Sequence, residues 1–343
     1  LAGGGDKVAS ASVSDLSLGE TRAAGTAVPM AGGGWKLQVS GRSLDARPLM
    51  EDDKEPGRDG AGGGKPEEKI PLDVTAKLGR VILGDGRMLR DVQADLKRGR
   101  LDWTSAQVEG KVGDANAPMV LRYGPDGRAR RLVLETSDAG ALLHALDLFD
   151  NIRGGRLTVV GRTDPTKPDS ALAGRIEMND YEAVNAPALA RLLNAASPTG
   201  FAELVEGRSI SFAKLTGEFR WEEALKKIWF KNVRTSGSAL GLTMEGLVDV
   251  GADRAELQGT IVPVYGLNRL LGIIPLLGDI VTGGEGQGVF SATYRIDGKL
   301  SDPNVSVNPL AVLAPGFLRN LFFLDHDPGV KKDPWVYEYP ESD

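Results

Sequence analysis

The chain has no cysteine and only two histidines, His144 and His326. Disulfide frameworks, thiolate zinc sites, thiol nucleophiles and iron–sulfur clusters are therefore excluded within it. A chain without cysteine suits an oxidising space such as a periplasm, where mispairing is a hazard. Cationic charge is short as well. The 41 Lys and Arg are outnumbered by 47 Asp and Glu, a formal charge of −6, which gives no electrostatic basis for tracking a phosphate backbone, so no nucleic-acid partner is expected. Aromatics are scarce at 6% while glycine reaches 45 residues, a balance that favours short strands and tight turns over long helices. Hydrophobic content of 41% is nevertheless enough to bury a core.

Long apolar runs are missing too. The richest segment, Ile261–Val281, is interrupted by Pro263, Arg269, Pro275 and Asp279, whereas a spanning helix needs about 20 nearly continuous apolar residues. A helix pair kinked at Pro275, with Arg269 reaching for water, fits better. A second apolar stretch covers Phe317–Leu324. The residues that would face a membrane are Leu267, Leu270, Leu271, Ile273, Ile274, Leu276, Leu277 and Ile280, then Phe317, Leu318, Leu321, Phe322 and Phe323. Two readings stay open: these helices meet a bilayer or acyl chains, or they cap a β layer as ordinary core.

What is present is alternation. Leu72, Val74, Ala76 and Leu78 are separated by Asp73, Thr75 and Lys77, and Val92, Ala94 and Leu96 by Gln93 and Asp95. The same period of two joins Leu132 to Leu134, Leu242 to Met244 and Val248, and Phe290 to Ala292, Tyr294 and Ile296. It predicts strands with one apolar and one wet face. Turn signals at Gly84-Asp85-Gly86 and Gly124-Pro125-Asp126-Gly127 suggest hairpins. The architecture is predicted to be mainly antiparallel β. Helices are expected at Asp138–Phe149, with Asp138 as N-cap, and at Ala186–Ala196, Thr199–Glu206, Gly266–Val281 and Asn308–Leu324. Residues 51–69, EDDKEPGRDGAGGGKPEEK, have no apolar side chain larger than Ala apart from two prolines. They cannot repay the entropy of ordering and are read as a disordered insertion.

Motifs of catalysis are absent. His144 sits among leucines on an expected helix and His326 in an acidic tail, and no G-x-S-x-G elbow occurs. Gly62-Gly63-Gly64-Lys65 has no strand before it, and the glycines at 283–288 run from helix to strand, the reverse of a dinucleotide loop. The carboxylates are scattered and form no D-x-D-x-D-G calcium loop. No enzyme activity, metal or cofactor is expected.

The run GTIVPVYGLNRLLGIIPLLGDIVTGGEGQGVFSATYRIDGKLSDPNVSVNPLAVLAPGFLRNLFF, residues 259–323, resembles the C-terminal region of AsmA-like proteins of Gram-negative bacteria. It is closest to the YhdP-type branch in its alphaproteobacterial form. The VPVYGLN turn, the IPLLGD–GGEGQG–FSATYRIDG unit and the SDPNVSVNPL–LAPGFLR ending carry the likeness, with weaker similarity at 40–49 and 83–96. The resemblance implies an elongated, twisted antiparallel β sheet curved into an open apolar groove, with a few short amphipathic helices. It implies a periplasmic bridge that carries phospholipids between inner and outer membranes, anchored upstream of this chain, its C-terminal end near the outer membrane and other envelope proteins. Residues 1–50 would then close a preceding groove segment, 70–308 form the groove domain, 309–324 an apolar helical segment and 325–343 an acidic tail that the family pattern does not explain. The alternating residues named above, from Leu72 to Ile296, would line the groove. The competing expectation is a structural or assembly factor of the outer envelope with a dry core and no lipid conduction.

Overall fold

The computed structural model describes residues 2–3, 8–51, 69–100, 102–164, 171–185, 209–222, 225–237, 240–263, 292–300 and 302–308. Two compact units meet at Asp150 and Asn151. Each is mainly β. The first unit holds β1 (Ala2–Gly3), β2 (Val8–Leu18), β3 (Thr21–Pro29), β4 (Trp35–Asp45), α1 (Arg47–Glu51), β5 (Leu72–Gly84), β6 (Arg87–Arg98), β7 (Trp103–Val112), β8 (Ala117–Asp126), β9 (Ala129–Thr136) and α2 (Ala139–Ala145). The second holds β10 (Ile152–Arg162), β11 (Leu172–Ala183), β12 (Ile210–Glu222), β13 (Lys227–Gly237), β14 (Leu240–Asp249), β15 (Arg254–Pro263), β16 (Ala292–Lys299) and β17 (Asp302–Asn308).

In the first unit, strands β2 to β9 pair in chain order, antiparallel throughout with one exception. Strands β4 and β5 run parallel, Trp35 opposite Leu72 and Asp45 opposite Ile82. A parallel neighbour obliges the chain to return to the starting end before the second strand begins. The charged stretch at 51–69 thus joins two hydrogen-bonded strands of one unit, which ends at Asp150. Residues 52–68 lie outside the described residues.

The return opens with α1, a helix that alternation did not signal. Arg47 ties its start to three strand ends: its guanidinium lies 2.8 Å from Asp45, 3.0 Å from Asp85 and 2.6 Å from Glu20. The hydrogen bonds from Arg47 hold the Asp45 carboxyl below the usual carboxylate range.

Helix α2 is shorter than expected. Asp138 caps it as anticipated, Oδ1 accepting from the Ala141 amide at 3.0 Å. The helix stops at Ala145 because Asp147 turns left-handed, with φ of 60°, and Leu148 and Phe149 are left exposed. Leu142 is fully buried where α2 packs on β6 and β7. The expected helices at 186–196, 199–206 and 266–281 lie outside the described residues, as does 309–324, while Asn308 ends β17.

The second unit is an antiparallel meander, β10 through β17 in order. Its strands bend at bulges. Asn232, with φ of 51°, sits where the β13–β14 register slips, as Asp91, with φ of 49°, does between β6 and β7. An extra residue on one strand increases local twist and curls the sheet.

Candidate apolar binding face

Register decides which side chains share a face. In the first unit a row runs across eight strands: Ala11, Ala27, Leu37, Val74, Leu96, Ala106, Tyr123 and Leu132 are successive cross-strand partners. A parallel row follows through Val13, Gly25, Val39, Ala76, Ala94, Val108, Leu121 and Leu134. Leu78 pairs with Val92 in a third. All nine groove residues read from alternation in this unit (Leu72, Val74, Ala76, Leu78, Val92, Ala94, Leu96, Leu132 and Leu134) therefore lie on one face. The other face is wet: Gln38, Thr75 and Asp95 are partners there, and the Thr75 hydroxyl donates to Asp95 at 2.9 Å.

Burial along this face is uneven. Leu78, Val92, Ala94 and Met119 are buried, whereas Leu37, Val74, Leu96, Tyr123 and Leu132 keep partial access to solvent. Towards the β2 edge, Val13 is 46% exposed and Leu18 72%. Side chains that are apolar, aligned and only half covered can accept hydrocarbon through many weak dispersion contacts.

The second unit treats its apolar face differently. Here a row joins Leu157, Met178, Leu215, Thr235, Leu242, Ile261 and Ala292. Met244 pairs with Val233, Val248 with Ala255, and Ile296 with Leu257. The five described groove candidates Leu242, Met244, Val248, Ala292 and Ile296 thus share a face with Tyr294; Phe290 lies outside the described residues. Tyr294 is only 6% exposed. It stands opposite Gly259, and its hydroxyl donates to the Thr243 carbonyl, 2.6 Å away on the strand beyond. Tyr181 stacks on Phe212 with ring centres 5.1 Å apart. Its hydroxyl donates to Thr235 Oγ1 at 2.6 Å, and the Thr235 hydroxyl in turn donates to the Lys214 carbonyl at 3.1 Å. Burial pushes the Tyr181 phenol up to about 12, a rise moderated by its bond to Thr235, and it pushes Tyr294 up as well. These aromatics are buried against their own sheet, while Leu242, Met244, Val248 and Ile296 keep partial access to solvent.

Sequence reasoning missed the inner positions on β3, β4, β7 and β8. Glycines such as Gly25 and Gly110 occupy inward places and hide the alternation, while Leu37 and Val39 form too short a run to stand out. The thirteen residues expected to face a membrane all lie outside the described residues. Among the described residues, no helix is long and apolar enough to cross a membrane, and no three His, Asp or Glu side chains gather as metal ligands. His144 Nδ1 meets Asp150 Oδ1 at 2.7 Å on the surface. No family model, curated protein or solved structure matches this chain.

Proposed function

We propose that this chain is part of an AsmA-like, YhdP-type protein that carries phospholipids between the two membranes of a Gram-negative envelope. The observation that supports this reading is the apolar row from Ala11 to Leu132, unbroken across eight strands and half covered over much of its length. Acyl chains lie along that face of the first unit while head groups stay in water, and transport proceeds by sliding without covalent chemistry. The sequence resemblance at 259–323 supplies the family, the periplasmic address and the outer-membrane end.

A second reading, a structural or assembly factor without conduction, is favoured by one observation: on the second unit's face Tyr181, Phe212 and Tyr294 are buried, and the first two stack on each other. Val74→Asp separates the two in the first unit. On an open face the carboxylate stays hydrated, so the variant is expected to keep its circular dichroism and melting profile while transfer of a fluorescent phospholipid between vesicles falls to background. In a dry core an unpaired charge costs several kcal/mol. Loss of folded protein would then sink the lipid reading in favour of the structural one.

A further inference from the structure

One end of the first unit's apolar face carries a chemistry that acyl chains do not need. Trp35, Leu72, Arg98 and Trp103 are successive cross-strand partners, so an arginine stands in line with the apolar row, between Leu72 and Trp103. The Arg98 guanidinium lies over the Trp103 ring at 5.5 Å, and Nη2 donates to the Ile70 carbonyl at 3.1 Å. Its Nε is buried and has no hydrogen-bond partner among the described residues. An orphaned donor on a permanent cation is costly and calls for an acceptor that the described residues do not supply.

The surroundings share that sign. Residues 69–71, 97–100 and 102–103 meet at this end, where Lys69 N donates to the Arg100 carbonyl at 2.6 Å, and 124–131 follows on the next strands, with Gly124 abutting Ser105 of β7. Lys97 and Arg131 stand on the opposite, wet face, which leaves Lys69, Arg98, Arg100, Arg128 and Arg130 with Asp102 and Asp126 as the acids, in a chain whose formal charge is −6. Ile70 is 60% exposed and Trp103 39%. Exposed Trp and Ile beside clustered arginine suit a boundary between hydrocarbon and a charged oxyanion.

We propose that Arg98 and Trp103 form a head-group subsite, in which the guanidinium binds the phosphate of an anionic phospholipid whose acyl chains run from Leu72 along the apolar face. The proposal rests on the lipid reading above and names its substrate class. The surrounding cations select lipids of net negative charge, and Trp103 covers the glycerol region.

The test compares short-chain phosphatidylglycerol, the matching diacylglycerol without phosphate, and inorganic phosphate, each titrated into the full chain by calorimetry. Wild type is expected to bind phosphatidylglycerol more tightly than diacylglycerol, and inorganic phosphate far more weakly than either. Arg98→Gln should weaken phosphatidylglycerol by about tenfold or more and leave diacylglycerol unchanged, as loss of a charge-assisted bond predicts. Arg98→Lys should recover part of the loss. Arg128→Gln, at an exposed turn, should weaken phosphatidylglycerol by a few fold and lower its salt dependence. Equal phosphatidylglycerol affinity in wild type and Arg98→Gln overturns the subsite and leaves the lipid reading standing. Failure of wild type to bind either lipid overturns both. Inorganic phosphate binding as tightly as phosphatidylglycerol makes this a free-phosphate site and overturns the lipid assignment.

Discussion

Tyr294 and Gly259 show how a single residue can settle the use of a surface. The strand partner of Tyr294 has no side chain, so the ring can lie over β15 and reach the Thr243 carbonyl on β14. A Cβ on Gly259 would run into that same carbonyl oxygen and stand 2.8 Å from the Tyr294 hydroxyl, and backbone cannot yield as a flexible side chain can. Gly259→Ala should therefore cost more than about 2 kcal/mol in chemical denaturation. The buried phenols also set an alkaline limit. Tyr181 titrates near 10.0 when unfolded and about 12 when folded, so between those values the unfolded chain releases the proton first and stability falls as pH rises. Tyr181→Phe should lose about 1 kcal/mol at neutral pH through its missing hydrogen bond. The same variant should show a shallower decline above pH 10 in urea titrations at stepped pH; a slope equal to that of wild type would remove Tyr181 from this role.

Among the elements, α2 shows local coding that tertiary contact completes. Asp138 starts the helix, Asp147 ends it, and the seven helical residues, Ala139–Ala145, are too few to hold a helix alone in water. Packing on β6 and β7 supplies the rest, through the fully buried Leu142 and Ala139. Gly113, at the end of β7, admits the helix: a Cβ there would come within 2.8 Å of the Ala141 methyl. Leu142→Ala is expected to cost about 2–5 kcal/mol, read from the denaturation midpoint. A loss below about 1 kcal/mol would mean that the site collapses or that α2 is peripheral. The parallel β4–β5 pair carries the opposite lesson, since neither strand's own sequence distinguishes a parallel from an antiparallel neighbour.

Across the molecule, the two units put one alternating pattern to different uses. In the first, Leu37, Val74, Leu96 and Leu132 align and remain partly accessible; in the second, Tyr181, Phe212 and Tyr294 are buried, while Leu242 and Met244 keep partial access. Photoreactive residues at Val74 and Leu134 are expected to capture phospholipid in cells, and one at Tyr294, which is 6% exposed, is expected to capture little. Capture at Tyr294 alone would reverse this assignment of the units.

Much of this was legible from the order of residues alone. Alternation over Leu72–Leu78 and Val92–Leu96 identified strands and their apolar sides, because side chains on an extended backbone switch sides at every step. Asp138 marked a helix start through its capping oxygen. Three matters were decided only by folding: which strand lies beside which, that β4 and β5 run parallel, and whether an apolar side chain ends half open like Val74 or sealed like Ile261. Local preference acts within a few residues, whereas pairing, curvature and burial depend on partners far away in the chain. Arg98 gains its place between Leu72 and Trp103 only when the strands on either side of β6 align around it.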